Sequence, residues 1–288
     1  MQLTSYPANL YPFQSHWINI DGIRIHYIDE GTGPTLLFCH PPITSSFMYR
    51  GMIKALSQKC RCIAFDFPGY GLSDAGTNAI QTITTQAEMV EKFMAALQLK
   101  DIFLLMQEVG GHAAMMAFLE NPQLLKALII TDTIPFPCTP YPQIGRMLRL
   151  VNGRFFNFFN ANFNFLIWAL TNFGIQKRKL SQGEKSVYKK LFDTKEKRRT
   201  ATRLLYEIVA QEKLLTQIQW ALETKFHQLP TLLIYGSKDP LTAMQIPQRI
   251  QEMLSHAVLH WIEGEAHFPH EGAPDEMSAI IMNWLESQ

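Results

Sequence analysis

The chain has 288 residues and a formal net charge of +1, from 26 Lys and Arg against 25 Asp and Glu. Hydrophobic residues make up 47% and charged residues 18%, which excludes a disordered chain and supplies ample material for a core. The charge balance offers no overall basic field for nucleic acid, and the longest apolar runs, about six residues, fall far short of the ~18–20 that a membrane span needs.

In chain order, the first segment (MQLTSYPANLYPF) has no basic region followed by an apolar stretch, which predicts no secretory signal. Strands are expected at Trp17–Ile20, Ile23–Ile28 and Thr35–Cys39, then a helix over Phe47–Leu56. Strand Cys62–Asp66, helix Ile83–Leu97, strand Ile102–Met106, helix Gly111–Asn121 and strand Ala127–Thr131 follow. After a long interruption come strand Thr231–Tyr235, helix Pro247–Leu254, strand Val258–Ile262 and helix Pro274–Leu285. The middle strands are continuous apolar runs, as in a parallel sheet buried on both faces, and the alternation predicts an α/β fold with helices on both faces. Cys39, Cys60, Cys62 and Cys138 lack zinc or redox spacing. They are expected as buried free thiols of a soluble, cytoplasmic protein.

The interruption, residues 134–229, shows helical patterns and no convincing strand. It holds 16 Lys and Arg against 6 Asp and Glu, a surplus of ten, so the remainder carries a net −9. We expect a helical cap inserted into a core formed by 1–133 and 230–288. Its basic face reads as solvated helix surface docked on an acidic domain; the alternative is a contact for an anionic partner or a membrane surface. The Phe155–Phe165 cluster is expected as lid core, with some rings facing a pocket.

In open α/β sheets, ligands bind at the carboxyl ends of the strands. Those ends carry His40-Pro41-Pro42, Gln107-Glu108-Val109-Gly110-Gly111-His112, Asp132, Gly236-Ser237-Lys238-Asp239-Pro240 and Gly264-Glu265-Ala266-His267. An acidic residue at a strand–helix turn, then an Asp after a later strand, then a His in a loop follow the chain order nucleophile, acid, histidine.

With these motifs the chain resembles the α/β-hydrolase superfamily, in the branch of haloalkane dehalogenases and epoxide hydrolases. Tyr11-Pro12-Phe13, Asp21-Gly22, the run Phe65–Asp74 and the Gly236-x-x-Asp239-Pro240 turn carry the likeness, which spans nearly the whole chain. It implies an eight-stranded, mostly parallel sheet and an inserted helical cap. It puts Glu108 at the nucleophile position, His267 at the catalytic histidine and Asp239 at the acid, with Asp132 as an alternative acid. His40, Pro41, Pro42 and Val109 would form the oxyanion and substrate loop. His112, Trp168 and Trp220 are candidate pocket residues, and paired cap tyrosines among Tyr141, Tyr188 and Tyr206 would polarise an epoxide if they converged.

Three departures bear on function. Glu replaces Asp at the elbow, and its extra methylene moves the reactive oxygen by roughly 1 Å, a misplacement that can cost about 10²-fold. Pro42 has no N–H to give an oxyanion hole, and losing one such donor typically costs ~10²–10³ in rate. The halide-holding positions of dehalogenases are Pro42 and Val109 here, which disfavours ordinary dehalogenation. Two chemistries remain: Glu108 as nucleophile, or Glu108 and His267 as an acid–base pair for elimination, isomerisation or ring opening. A catalytically inactive ligand-binding protein on the same fold is the rival. The expected substrate is a small, mainly apolar molecule handled by a monomer or homodimer, and neither metal nor organic cofactor is expected.

Overall fold

The computed structural model describes residues 4–76 and 81–288. The chain enters through a hairpin, β1 (His16–Ile20) and β2 (Ile23–Glu30), turned at Asp21-Gly22 with both residues at positive φ. Strand β3 (Thr35–Cys39) leads through a short 3-10 turn, Ser46–Tyr49, into α1 (Arg50–Leu56). The single helix expected from Phe47 is therefore two pieces, the first begun by the Ser45 hydroxyl, which accepts from Phe47 N at 3.3 Å.

Next come β4 (Arg61–Phe65), α2 (Ile83–Ala96), β5 (Ile102–Gln107), α3 (Glu108–Glu120) and β6 (Leu125–Thr131). Thr82 and Thr85 cap α2 reciprocally, the Thr82 hydroxyl accepting from Thr85 N at 3.1 Å and Thr85 Oγ1 from Thr82 N at 3.0 Å. Between β6 and the next strand run α4 (Pro142–Val151), α5 (Arg154–Phe163), α6 (Phe165–Phe173), α7 (Gln182–Leu191), α8 (Lys195–Ala210) and α9 (Glu212–Thr224). The chain closes with β7 (Thr231–Gly236), the one-turn α10 (Pro240–Ala243), α11 (Ile246–Met253), β8 (Val258–Ile262), the one-turn α12 (Pro269–Gly272) and α13 (Pro274–Leu285).

The strands form one sheet in the order β1-β2-β4-β3-β5-β6-β7-β8. β2 is antiparallel to both β1 and β4, and the remaining pairs are parallel. This is the expected α/β-hydrolase architecture. Every residue of β5 and β7 is buried, whereas β8 at the edge leaves Val258 and Trp261 exposed, which is why only the middle strands read as unbroken apolar runs. All four cysteines are buried and unpaired.

Candidate active site

Strand β5 hands the chain to α3 through a turn in which Glu108 takes φ +43°, a left-handed conformation that strains a residue with a Cβ. The turn is held on both sides. A Cβ at Gly110 would collide with the carbonyl oxygens of Cys39 and His40, so α3 packs against the end of β3 only because that position is glycine. Beneath it, the Tyr49 hydroxyl donates to Gln107 Oε1 at 3.0 Å, and Gln107 Nε2 donates to His270 Nδ1 at 3.1 Å. His270 is fully buried under the elbow, where burial and the nearby His267 charge push its pKa well below the usual histidine range. The only sequence signal for this support was a His three residues beyond His267.

Glu108 Oε1 and His267 Nε2 are 2.6 Å apart, and His267 Nδ1 lies 2.9 Å from Asp239 Oδ2. Burial alone would depress the His267 pKa, but the Asp239 and Glu108 carboxylates outweigh it and raise the pKa well above the usual range. Each ring nitrogen thus faces a carboxylate oxygen at hydrogen-bond distance. Asp239 is kept ionised: burial opposes its charge, but His267, a hydrogen bond from Asp132 and the Leu241 N–H outweigh it. Leu241 N donates to Asp239 Oδ1 at 2.8 Å, so the same aspartate caps α10.

Asp132, the alternative acid, lies behind Asp239 and makes no hydrogen bond to His267. It is fully buried, with φ +45°. Burial and the Asp239 charge push its pKa well above the usual carboxylate range. One atom each of Asp132, Asp239 and His267 lies within 4.8 Å of the others, the one metal-competent grouping among the described residues. Within it, His267 Nδ1 is engaged by Asp239 Oδ2 at 2.9 Å and Asp132 Oδ2 accepts from the Thr131 hydroxyl at 2.6 Å.

Glu108 Oε2 is buried and has no hydrogen-bond partner. Neither Val109 N nor the adjoining Pro42, which lacks an N–H, reaches it. His40 joins two loops instead of facing a ligand. Its Nδ1 donates to Pro41 O at 2.9 Å and its Nε2 accepts from Phe67 N at 3.0 Å, while burial lowers its pKa.

Other pocket candidates lie elsewhere. His112 is buried, donates from Nε2 to Ile134 O at 3.0 Å, and is driven by burial to a pKa of about 4, so it pins α3 to the start of the cap. Trp168 and Trp220 are 49% and 52% exposed, on the outer faces of α6 and α9. Trp168 stacks among surface rings and Trp220 carries Lys225 over its face, because the inner faces of those helices are filled by aliphatic side chains. The Phe155–Phe165 cluster is also displaced from its expected role as lid core, for Phe155, Phe158, Phe159, Phe163 and Phe165 are exposed. Among the described residues no cap tyrosine is hydrogen-bonded to Glu108 or His267: Tyr188 donates to Glu271, and Tyr141 packs on Phe136 and Arg249. A cleft of about 540 Å³ lined by Pro230, Thr231, His256 and Trp284 opens at the amino ends of β7 and β8, the edge of the sheet opposite the triad.

Sequence reasoning missed the ion cluster that joins the helices between β6 and β7 to the segments before and after them. Arg50 of α1 donates to Glu271 and to Glu184 of α7, while Arg178 pairs with the same two carboxylates. Glu265, fully buried, accepts from Gln176 N at 2.7 Å and Lys177 N at 3.0 Å in the cap.

This sheet order, with a strained acidic elbow, a histidine and a second acid at its carboxyl ends, is the plan of an α/β hydrolase, and known proteins agree. The sequence model of the alpha/beta hydrolase fold family matches residues 34–274, and the chain belongs to that family. It is 30% identical over 274 residues to Haloalkane dehalogenase 2 of Mycobacterium bovis, covering 95% of each chain. It is 26% identical over 292 residues to Cis-3-alkyl-4-alkyloxetan-2-one decarboxylase of Shewanella oneidensis, covering 96% of this chain and 89% of that one. Among solved structures, haloalkane dehalogenase DatA of Agrobacterium tumefaciens superposes with a TM-score of 0.83 at 20% identity, covering 95% of this chain and 96% of that one. Epoxide hydrolase CorEH superposes with a TM-score of 0.79 at 19% identity, covering 96% and 99%. Within the family the chain is a hydrolase-like enzyme related to the haloalkane dehalogenases.

Proposed function

We propose that the enzyme opens a strained carbon–oxygen bond in a small, mainly apolar molecule by acid–base chemistry. Glu108 acts as base, His267 as acid and Asp239 as the group that orients His267. The observation that carries this reading is His267 Nε2 lying 2.6 Å from one oxygen of Glu108, with Nδ1 2.9 Å from Asp239 and the other Glu108 oxygen buried and unpartnered. In the cycle, Glu108 Oε2 takes a proton from water as the water oxygen attacks an sp³ carbon. The ring carbon–oxygen bond breaks, and the leaving oxygen takes the proton from His267 Nε2. The proton on Glu108 then returns to His267, which restores the pair.

Leaving-group chemistry supports an oxygen over a halide. Halide departs without a proton, whereas an alkoxide needs one, and an imidazolium supplies it. The halide-holding positions of the resembling dehalogenases are Val109 and Pro42, whose side chains offer no N–H. Buried Ile43, Val109, Ile134 and Phe268 near these strand ends favour an apolar substrate body. Residues 134–229 act in this reading as a lid on a core of 1–133 and 230–288, in a monomer or homodimer.

A second reading, Glu108 as nucleophile, is favoured by its strained elbow position and free oxygen. Hydrolysis of the resulting ester would need oxyanion donors, and Pro42 supplies none. Incubation with epoxides and β-lactones separates the two. The acid–base reading expects ring opening by the parent, loss of ~10²–10⁴-fold in Glu108→Gln, unchanged turnover in Pro42→Ala, and no covalent adduct on His267→Ala by intact-protein mass spectrometry. An adduct on His267→Ala that disappears in Glu108→Gln, with Pro42→Ala faster by up to ~10²-fold, assigns the nucleophile role instead. Failure of the parent to open any such ring removes the reading.

A further inference from the structure

We infer that the outer face of helices α4–α6 is a docking surface for an anionic phospholipid bilayer. The amphipathic pattern of α5 is inverted. Asn160 and Ala161 are its buried residues, while Phe155, Phe158, Phe159 and Phe163 stand in solvent. The inward asparagines are satisfied: Asn160 Oδ1 accepts from Leu166 N at 2.9 Å, Asn157 Nδ2 donates to Asn152 O at 2.7 Å, and Thr202 donates to Asn157 Oδ1 at 2.5 Å. The polar face is therefore the packed one, and the aromatic face is left outward.

The exposed rings form two strings. Phe159 touches Phe155, Phe158 and Phe163, with centroids 4.8, 5.8 and 5.8 Å away. Trp168 touches Phe165 and Phe173 at 5.3 and 5.2 Å, and Phe156 joins that string through Phe165 at 5.8 Å. Met147 and Leu150 extend the apolar surface onto α4. Contiguous apolar surface of this kind on a monomer marks a contact site.

Charge selects the occupant. Exposed Arg146, Arg149 and Arg154 flank the rings, and none has an acidic partner among the described residues. Between residues 134 and 192 the sequence has one carboxylate, Glu184, and it is buried against Arg50 and Arg178. Aromatic rings beside unopposed cations, on helices lying along one face, match the interface of an anionic membrane, where apolar side chains enter the acyl boundary and cations meet phosphate. A symmetric pairing with a second copy would set the arginines of both copies against each other.

The test is flotation of the full chain with vesicles of phosphatidylglycerol and phosphatidylcholine in equal parts, against phosphatidylcholine alone. Binding is expected to the anionic vesicles and to weaken with salt. Arg146→Gln, Arg149→Gln and Arg154→Gln together should weaken it on the order of 100-fold. Phe158→Ser with Phe163→Ser should abolish the part that survives high salt, with melting temperatures unchanged because these side chains are already exposed. Absence of binding at low salt overturns the inference, as does binding that neither set of changes affects. A dimer that the phenylalanine changes dissociate, without vesicle binding, assigns the face to a second copy and also overturns it.

Discussion

His267 sits between two carboxylates, and its charge state follows from them. Its raised pKa means that the acid form persists through neutrality and is lost as pH rises through the folded value. Activity should hold across neutral pH and fall on the alkaline side. The stabilisation from the pairing follows the same sign, present below the unfolded histidine value near 6.5 and lost as pH rises through the folded one. Glu108→Gln removes one supporting charge, so a proton NMR titration of the His267 ring should shift downward in that variant. The two aspartates separate in the same way. Asp239→Asn should lower turnover by up to about 10⁴-fold, since the amide cannot hold the imidazolium. Asp132→Asn puts a neutral group where burial and the Asp239 charge already oppose ionisation, and should cost less than about 10-fold. Glu108, His267 and Asp239 were legible because each follows a strand in a motif with its own chemistry. The raised pKa of Asp132 was not, because it depends on burial and on a neighbour more than a hundred positions away in sequence.

Among the elements, the strands were the most legible, since burial on both faces leaves an unbroken apolar run. Helix α5 was the least. Its Phe and Asn positions define two faces, but periodicity does not say which face turns inward. The asparagines win because backbone and Thr202 partners await them. The Arg50–Glu184–Arg178–Glu271 cluster was not legible for a related reason, since its members come from separate segments of the chain. Glu184 is held at a pKa of about 2: burial opposes its charge, but the Ser181 N–H and Arg50 outweigh it. Its contribution is present above the ordinary value of 4.5 and lost as pH falls toward 2. Melting curves against pH should show this acid limb in the parent and flatten it in Glu184→Gln. Glu271→Gln leaves Arg50 underpaired in a buried site and should cost about 3–5 kcal/mol in denaturant unfolding.

Across the whole molecule, near-neutrality conceals two charged parts, a basic insert and an acidic remainder, and the triad lies on the sheet edge from which the insert departs. That division was countable in the sequence, whereas the outward turn of the aromatic rings was not. The distribution of indoles has a spectroscopic consequence. Of five tryptophans, Trp17, Trp168, Trp220 and Trp261 are exposed and Trp284 alone is buried. Native emission should already sit near that of solvated indole, so denaturant should move its maximum little, and a melt followed by fluorescence should understate a transition that circular dichroism shows in full. A chain keeping Trp168 alone, with phenylalanine at the other four positions, turns that insensitivity into selectivity: its colour would report what touches α6 and almost nothing else.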